Sequence, residues 1–154
     1  MDRPKVFLDT SVLFAAVLSE TGGSRHILKL GEAGAVALWV GPGVLREADA
    51  VLTAKSPRSR PLFALLLNRA RVQVGSEATP DALRRALTFL DYAPDAQVLA
   101  EGMAENMDYL VSLDRQHLVG NPRLSVLPFP VGTPGDFLAW LRARLVGTPP
   151  APGG

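Results

Sequence analysis

The sequence predicts an α/β fold of three layers, α/β/α, built on a mostly parallel central sheet of about four to five strands. Short apolar runs alternate with longer segments of helical periodicity along nearly the whole chain. The first run, Val6-Phe7-Leu8, contains no polar residue, as befits a strand covered on both faces. Gly and Pro punctuate most of the junctions.

Taken in order, residues 5–9 and 35–40 read as buried strands, 109–112 as a third and 124–127 as a fourth, with 72–74 as a weak fifth. Helices are predicted over 12–19, 24–33, 44–53, 60–68, 80–90, 94–106 and 134–145. The last opens on Thr133-Pro134-Gly135-Asp136, a cap followed by proline at the first position and an acid at the third. Gly41-Pro42-Gly43 also joins a strand to a helix, as a dinucleotide fingerprint would. The expected third glycine position holds Arg46, however, and a turn before a proline-started helix explains the run better. No Gly-Lys-Ser/Thr sequence of a P-loop occurs.

A length of 154 residues with 47% hydrophobic content suits one domain, residues 1–146, followed by a flexible Pro/Gly-rich tail, 147–154. No apolar run is long enough to span a bilayer, and Met1-Asp2-Arg3-Pro4-Lys5 leads straight into a strand, so a cytoplasmic location is expected. Cysteine is absent, which excludes disulfides and thiolate metal sites. Net charge is +1, but with four carboxylates committed to a cation the remaining surface would be distinctly positive. Most of that charge is arginine, with Arg58, Arg60, Arg69, Arg71, Arg84, Arg85, Arg142 and Arg144 in or beside predicted helices. They could grip phosphates bidentately or simply form a solvated surface.

The acids carry the chemistry. Asp9 ends the first strand and is followed by Thr10 and Ser11. Ligands of parallel α/β sheets bind beyond the carboxyl ends of strands, so Asp9 is placed for a cation, or equally to cap the next helix. Asp95 follows Pro94 and falls beside Val98, Leu99 and Met103 on the apolar stripe of its helix, with Gln97, Glu101 and Glu105 on the opposite side. A carboxylate on a buried stripe must be paired, hydrogen-bonded or metal-bound, unless it complements the helix dipole in the first turn. Asp114 repeats the strand-end placement of Asp9 after Tyr109-Leu110-Val111-Ser112, although a turn could account for it. On the helix 44–53, Glu47 and Asp49 lie at opposite margins of the apolar stripe, and periodicity does not choose between them. His26 and His117 have no His or Cys partner at zinc-like spacing and read as structural or surface groups. Trp39 and Trp140 read as core or interface residues.

With Asp9, an acid on the helix after the second strand, Asp95 and Asp114 in this order, the chain resembles the PIN-domain nucleases, and among them the VapC-like toxin ribonucleases. The likeness runs through Phe7-Leu8-Asp9-Thr10-Ser11-Val12-Leu13, Val44-Leu45-Arg46-Glu47 and Pro94-Asp95-Ala96-Gln97-Val98-Leu99-Ala100. It continues in Asp108 to Leu118 and Thr133 to Leu138. Where the family often has Thr-Gly-Asp, this chain has Ser112-Leu113-Asp114 and keeps a short hydroxyl residue. The resemblance implies a PIN-like fold and an acidic cluster of Asp9, Glu47, Asp95 and Asp114, which favours Glu47 over Asp49. It further implies an RNA substrate, an antitoxin protein as partner and a homodimer.

A few carboxylates around an open site suit Mg²⁺, and Mn²⁺ would accept the same ligands. On this reading Asp9 and Asp95 are direct ligands, Asp114 is direct or acts through water, and Glu47 is a ligand or orients the attacking water. Ser11 and Ser112 would hold the ligands or phosphate oxygens. The alternatives are a role in RNA processing or DNA cleavage, a non-catalytic binding or regulatory module, and a phosphotransfer domain with Asp9 as nucleophile. The last would want a second Asp two residues on, where Ser11 stands.

Overall fold

Strand β1 (Lys5–Leu8) is the middle of a five-stranded, all-parallel sheet, and its Val6, Phe7 and Leu8 are completely buried. The computed structural model describes residues 3–147. On one side β1 pairs with β2 (Ala37–Val40), with Phe7 opposite Trp39, and β2 pairs with β3 (Gln73–Val74). On the other side it pairs with β4 (Tyr109–Val111), with Leu8 opposite Val111, and β4 pairs with β5 (Val131–Gly132). The strand order β3-β2-β1-β4-β5 reverses direction at β1/β4. That reversal opens a crevice beyond the carboxyl ends of these two strands, the usual ligand position in such sheets.

Among the described residues, seven α-helices cover the sheet. They are α1 (Thr10–Leu18), α2 (Gly23–Glu32), α3 (Pro42–Lys55), α4 (Arg60–Arg69), α5 (Pro80–Leu87), α6 (Ala93–Met103) and α7 (Pro134–Val146). Proline stands in the first turn of α3, α4, α5, α6 and α7, where its missing N–H deprives no carbonyl. Thr133 and Asp136 close a reciprocal capping box at the start of α7, and Gly147 ends that helix at φ 68°, in the left-handed region that favours glycine. The rest of the sequence-predicted tail lies outside the described residues. Trp140 is half-buried against Tyr109 and Phe137, and Trp39 is half-buried beneath the Lys5 ammonium. Among the described residues, no helix is long and apolar enough to cross a membrane.

Two expectations need correction. Residues 124–127 do not form a strand: Asn121 accepts from the Arg123 amide, Pro122 starts a 3-10 turn over Pro122–Val126, and pairing resumes only at β5. A proline-started turn cannot supply the amides a ladder needs, so the fifth strand is displaced toward Val131. Nor is the side of α6 opposite Asp95 a solvent face. Glu101 is completely buried, because that side packs on the start of α3. The Gly43 amide donates to Glu101 Oε2 (3.0 Å), while Oε1 has no hydrogen-bond partner. Burial raises the Glu101 carboxyl above its ordinary value, against the lowering effect of the Gly43 amide.

Gly41 makes this packing sterically feasible. A Cβ there would lie 2.5 Å from Glu101 Cδ and 2.5 Å from Oε1. Gly41→Ala is therefore expected to lower the unfolding free energy by about 1–3 kcal/mol, as overpacking does. Gly135→Ala, where the nearest atom outside the local backbone is Thr133 Oγ1 at 3.9 Å, should be neutral or stabilising. Urea melts of the two variants check this, and equal midpoints would contradict the cradle.

Candidate active site

Asp9 follows β1 directly, and its amide extends the sheet by donating to Val111 O (3.2 Å). Its side chain caps α1, with Oδ1 accepting from the Val12 amide (3.2 Å) and from Ser11 Oγ (2.5 Å). Oδ2 accepts from Ser112 Oγ, at the end of the neighbouring strand. The two hydroxyls in turn accept, Ser11 Oγ from the Leu113 amide across the gap (3.1 Å) and Ser112 Oγ from the Asp114 amide in its own turn (2.9 Å). Asp9 is 5% exposed. Burial raises its pKa, the hydroxyls and the Val12 amide oppose that rise, and the Asp114 charge adds to it.

Asp114 is positioned by the turn after β4. Its Oδ1 accepts from the amides of Gln116 (3.0 Å) and His117 (2.9 Å), leaving Oδ2 to face the crevice. Asp95 arrives from the first turn of α6 and is 8% exposed, and its Oδ2 has no hydrogen-bond partner. Asp95 is pushed up to about 7, first by burial and then by its hydrogen bond with Asp114 and the Asp114 and Asp9 charges, with His117 opposing. Asp114 is held below its ordinary value: burial would raise it, but the bond from Asp95 and those from His117 and Gln116 prevail.

Glu47 stands on α3 across the crevice, exposed, with Oε2 accepting from Thr10 Oγ1 (3.2 Å). Asp49 faces away and pairs with Arg60 (3.2 Å). Of the two acids that periodicity left open, Glu47 and not Asp49 borders the crevice. Asp9, Ser11, Glu47, Tyr92, Asp95 and Asp114 all border a cleft of about 180 Å³. The structure brings all four sequence-derived acids and Ser11 to one place, with Ser112 buried beneath Asp9. Of the arginines considered from sequence, Arg60 and Arg84 are paired with acids and Arg144 lies over Trp140.

Sequence reasoning missed His117. Its Nδ1 lies 3.1 Å from Asp114 Oδ2 and 3.3 Å from Asp95 Oδ2, and its ring stacks on Tyr92 with centroids 4.5 Å apart and planes 14° from parallel. The signal available was its position three residues after Asp114 in a turn that the acid itself caps. Asp95, Asp114 and His117 can each offer one donor atom, all within 4.8 Å of one another. The donors fit a divalent cation chemically: an unbonded buried carboxylate oxygen beside a second carboxylate is unfavourable until a positive charge joins it.

The PIN domain family model matches residues 5–116. No curated protein matches the chain. Among solved structures, VapC20 of Mycobacterium tuberculosis, described as a sarcin-ricin-loop-cleaving toxin, is 19% identical over 68% of this chain and 86% of that one, with a TM-score of 0.49. PAE2754 from Pyrobaculum aerophilum is 16% identical over 91% of this chain and 90% of that one, with a TM-score of 0.57, which shows a shared fold. The matched residues include Asp9, Glu47, Asp95 and Asp114 and span β1 through the turn after β4, and on that match the chain belongs to the PIN domain family.

Proposed function

We propose that the protein is a metal-dependent endoribonuclease that hydrolyses RNA phosphodiesters at the acidic cleft. The observation that carries this reading is the unbonded, buried Asp95 Oδ2 beside Asp114, with Asp9 behind them and Glu47 opposite, at the switch point of a parallel sheet. A Mg²⁺ or Mn²⁺ ion would neutralise charge on the phosphate and make a water acidic enough to attack phosphorus. Asp9 and Asp95 would hold the ion directly and Asp114 directly or through water, with Ser11, Ser112 and the Val12 amide orienting the Asp9 oxygens. Glu47, solvent-exposed and bonded only through Thr10, is suited to orient the attacking water. The same engagement of both Asp9 oxygens disfavours Asp9 as a phosphotransfer nucleophile.

Family membership supports the nuclease activity. On the resemblance set out from sequence, the finer reading is a toxin of a toxin–antitoxin pair, cytoplasmic and homodimeric, acting as a single domain over residues 1–146 with an antitoxin as partner. Labelled RNA and single-stranded DNA, incubated with and without Mg²⁺ or Mn²⁺, test the activity. RNA cleavage should require the cation and fall by about 10²-fold or more in Asp9→Asn and Asp95→Asn, each of which withdraws several kcal/mol of charge stabilisation. Cleavage that survives chelation would overturn the mechanism, and preferential cleavage of DNA would overturn the substrate.

Stability gives a second check. The Asp95 pKa is raised from 3.8 to about 7, so the protonated form stabilises the fold at low pH and that contribution is lost as pH rises through about 7. In chelator, Asp95→Asn should melt near wild type at about pH 4 and become progressively more stable than wild type up to about pH 7. Saturating Mn²⁺ at pH 7 should erase that advantage by stabilising wild type. A difference in Tm that does not change with pH would contradict the burial of an unpaired carboxylate.

A further inference from the structure

We propose that His117 supplies a nitrogen donor to the cation held by Asp95 and Asp114, and that this mixed nitrogen–oxygen set makes the site select Mn²⁺ over Mg²⁺. The proposal rests on the reading of these acids as cation ligands. Three observations carry it. The Nδ1 atom lies 3.1 Å from Asp114 Oδ2 and 3.3 Å from Asp95 Oδ2, two acids that border the cleft. For metal–donor bonds of about 2.1 Å, adjacent donors around an octahedral ion are roughly 3 Å apart, so the three atoms have the spacing of neighbours on one ion. The Asp95 oxygen involved is buried and takes no hydrogen bond, so it lacks the partner that a cation would provide.

The ring is also held in place rather than free. Its backbone amide donates to Asp114 Oδ1 (2.9 Å), its carbonyl accepts from Asn121 Nδ2 (2.9 Å), and Tyr92 covers one face of the imidazole. With its side chain 32% exposed, the ring remains reachable from solvent. An imidazole fixed this way discriminates between metals. Mg²⁺ demands oxygen donors, whereas Mn²⁺ stands higher in nitrogen affinity and tolerates both donor types. His26, exposed on α2, provides the internal control.

The test is binding, with no substrate present. Mn²⁺ and Mg²⁺ are titrated calorimetrically into wild type, His117→Ala, His117→Gln and His26→Ala, and the Mn²⁺-loaded proteins are measured by electron spin echo for coupling to ¹⁴N. Wild type and His26→Ala should bind Mn²⁺ about 10-fold or more tighter than Mg²⁺ and show nitrogen coupling. Both His117 variants should lose the coupling and most of the preference, with Mg²⁺ affinity little changed. Tight Mn²⁺ binding to wild type without nitrogen coupling would overturn the role of His117 while leaving the acidic site intact. Binding of neither cation by wild type would overturn the acidic-site reading itself. Because the coupling is read on wild type, the result stands even if a variant fails to fold.

Discussion

Mutual repulsion of carboxylates at the carboxyl end of β1 and β4 is the constraint around which the site is arranged. Parallel pairing places Leu8 beside Val111, so the chain delivers Asp9 and Asp114 to neighbouring positions whether or not their charges agree. Hydroxyl groups reduce the conflict: Ser11 and Ser112 each donate to Asp9, and each accepts an amide from the turn that carries Asp114. Capping occupies only one oxygen of each acid. In Asp114 one oxygen holds backbone amides while the other faces the crevice, and the oxygen that caps α1 at Asp9 is likewise distinct from the one that meets Ser112.

The helices that bring the other two acids are coupled by a different device. Asp95 and Glu101 share α6, and Glu101 closes against the two glycines that open α3, the helix bearing Glu47. The distance across the cleft is thus fixed behind it, by a carboxyl packed onto bare backbone. At the far end of α1, the buried Arg25 side chain donates to Ala16 O (2.6 Å) and Val17 O (3.2 Å). A carboxylate at the amino end and a guanidinium at the carboxyl end both complement the dipole of that helix.

Much of this was legible in the sequence, and the exceptions share a cause. The alternation of strands and helices, the strand-end positions of Asp9 and Asp114 and the buried position of Asp95 all follow from periodicity, which reports one face of an element at a time. Periodicity failed for Glu101 because α6 is packed against α5 and α3 as well as against β1. The missed signal lay in Gly41 and Gly43, whose lack of side chains allows a close approach that their φ angles do not require. It could not separate Glu47 from Asp49, because the deciding partners, Thr10 and Arg60, lie on other elements. His117 escaped because a histidine without nearby His or Cys looks solitary until the chain folds, whereas its partners here are carboxylates, one of them from a distant helix.

The bond from Ser112 to Asp9 joins residues 103 positions apart, and the sheet inserts β4 beside β1 only after β2 and β3 have been laid down on the other side. A ribosome extends a chain at about 5–20 residues per second, so roughly 5–20 s of synthesis separate the two halves of the cleft. Until residue 114 has been added, the chain holds Asp9 and then Glu47 and Asp95 without the Asp114 that completes the cluster. The order of the strands thus leaves the acidic cleft to be completed by the last third of the described chain.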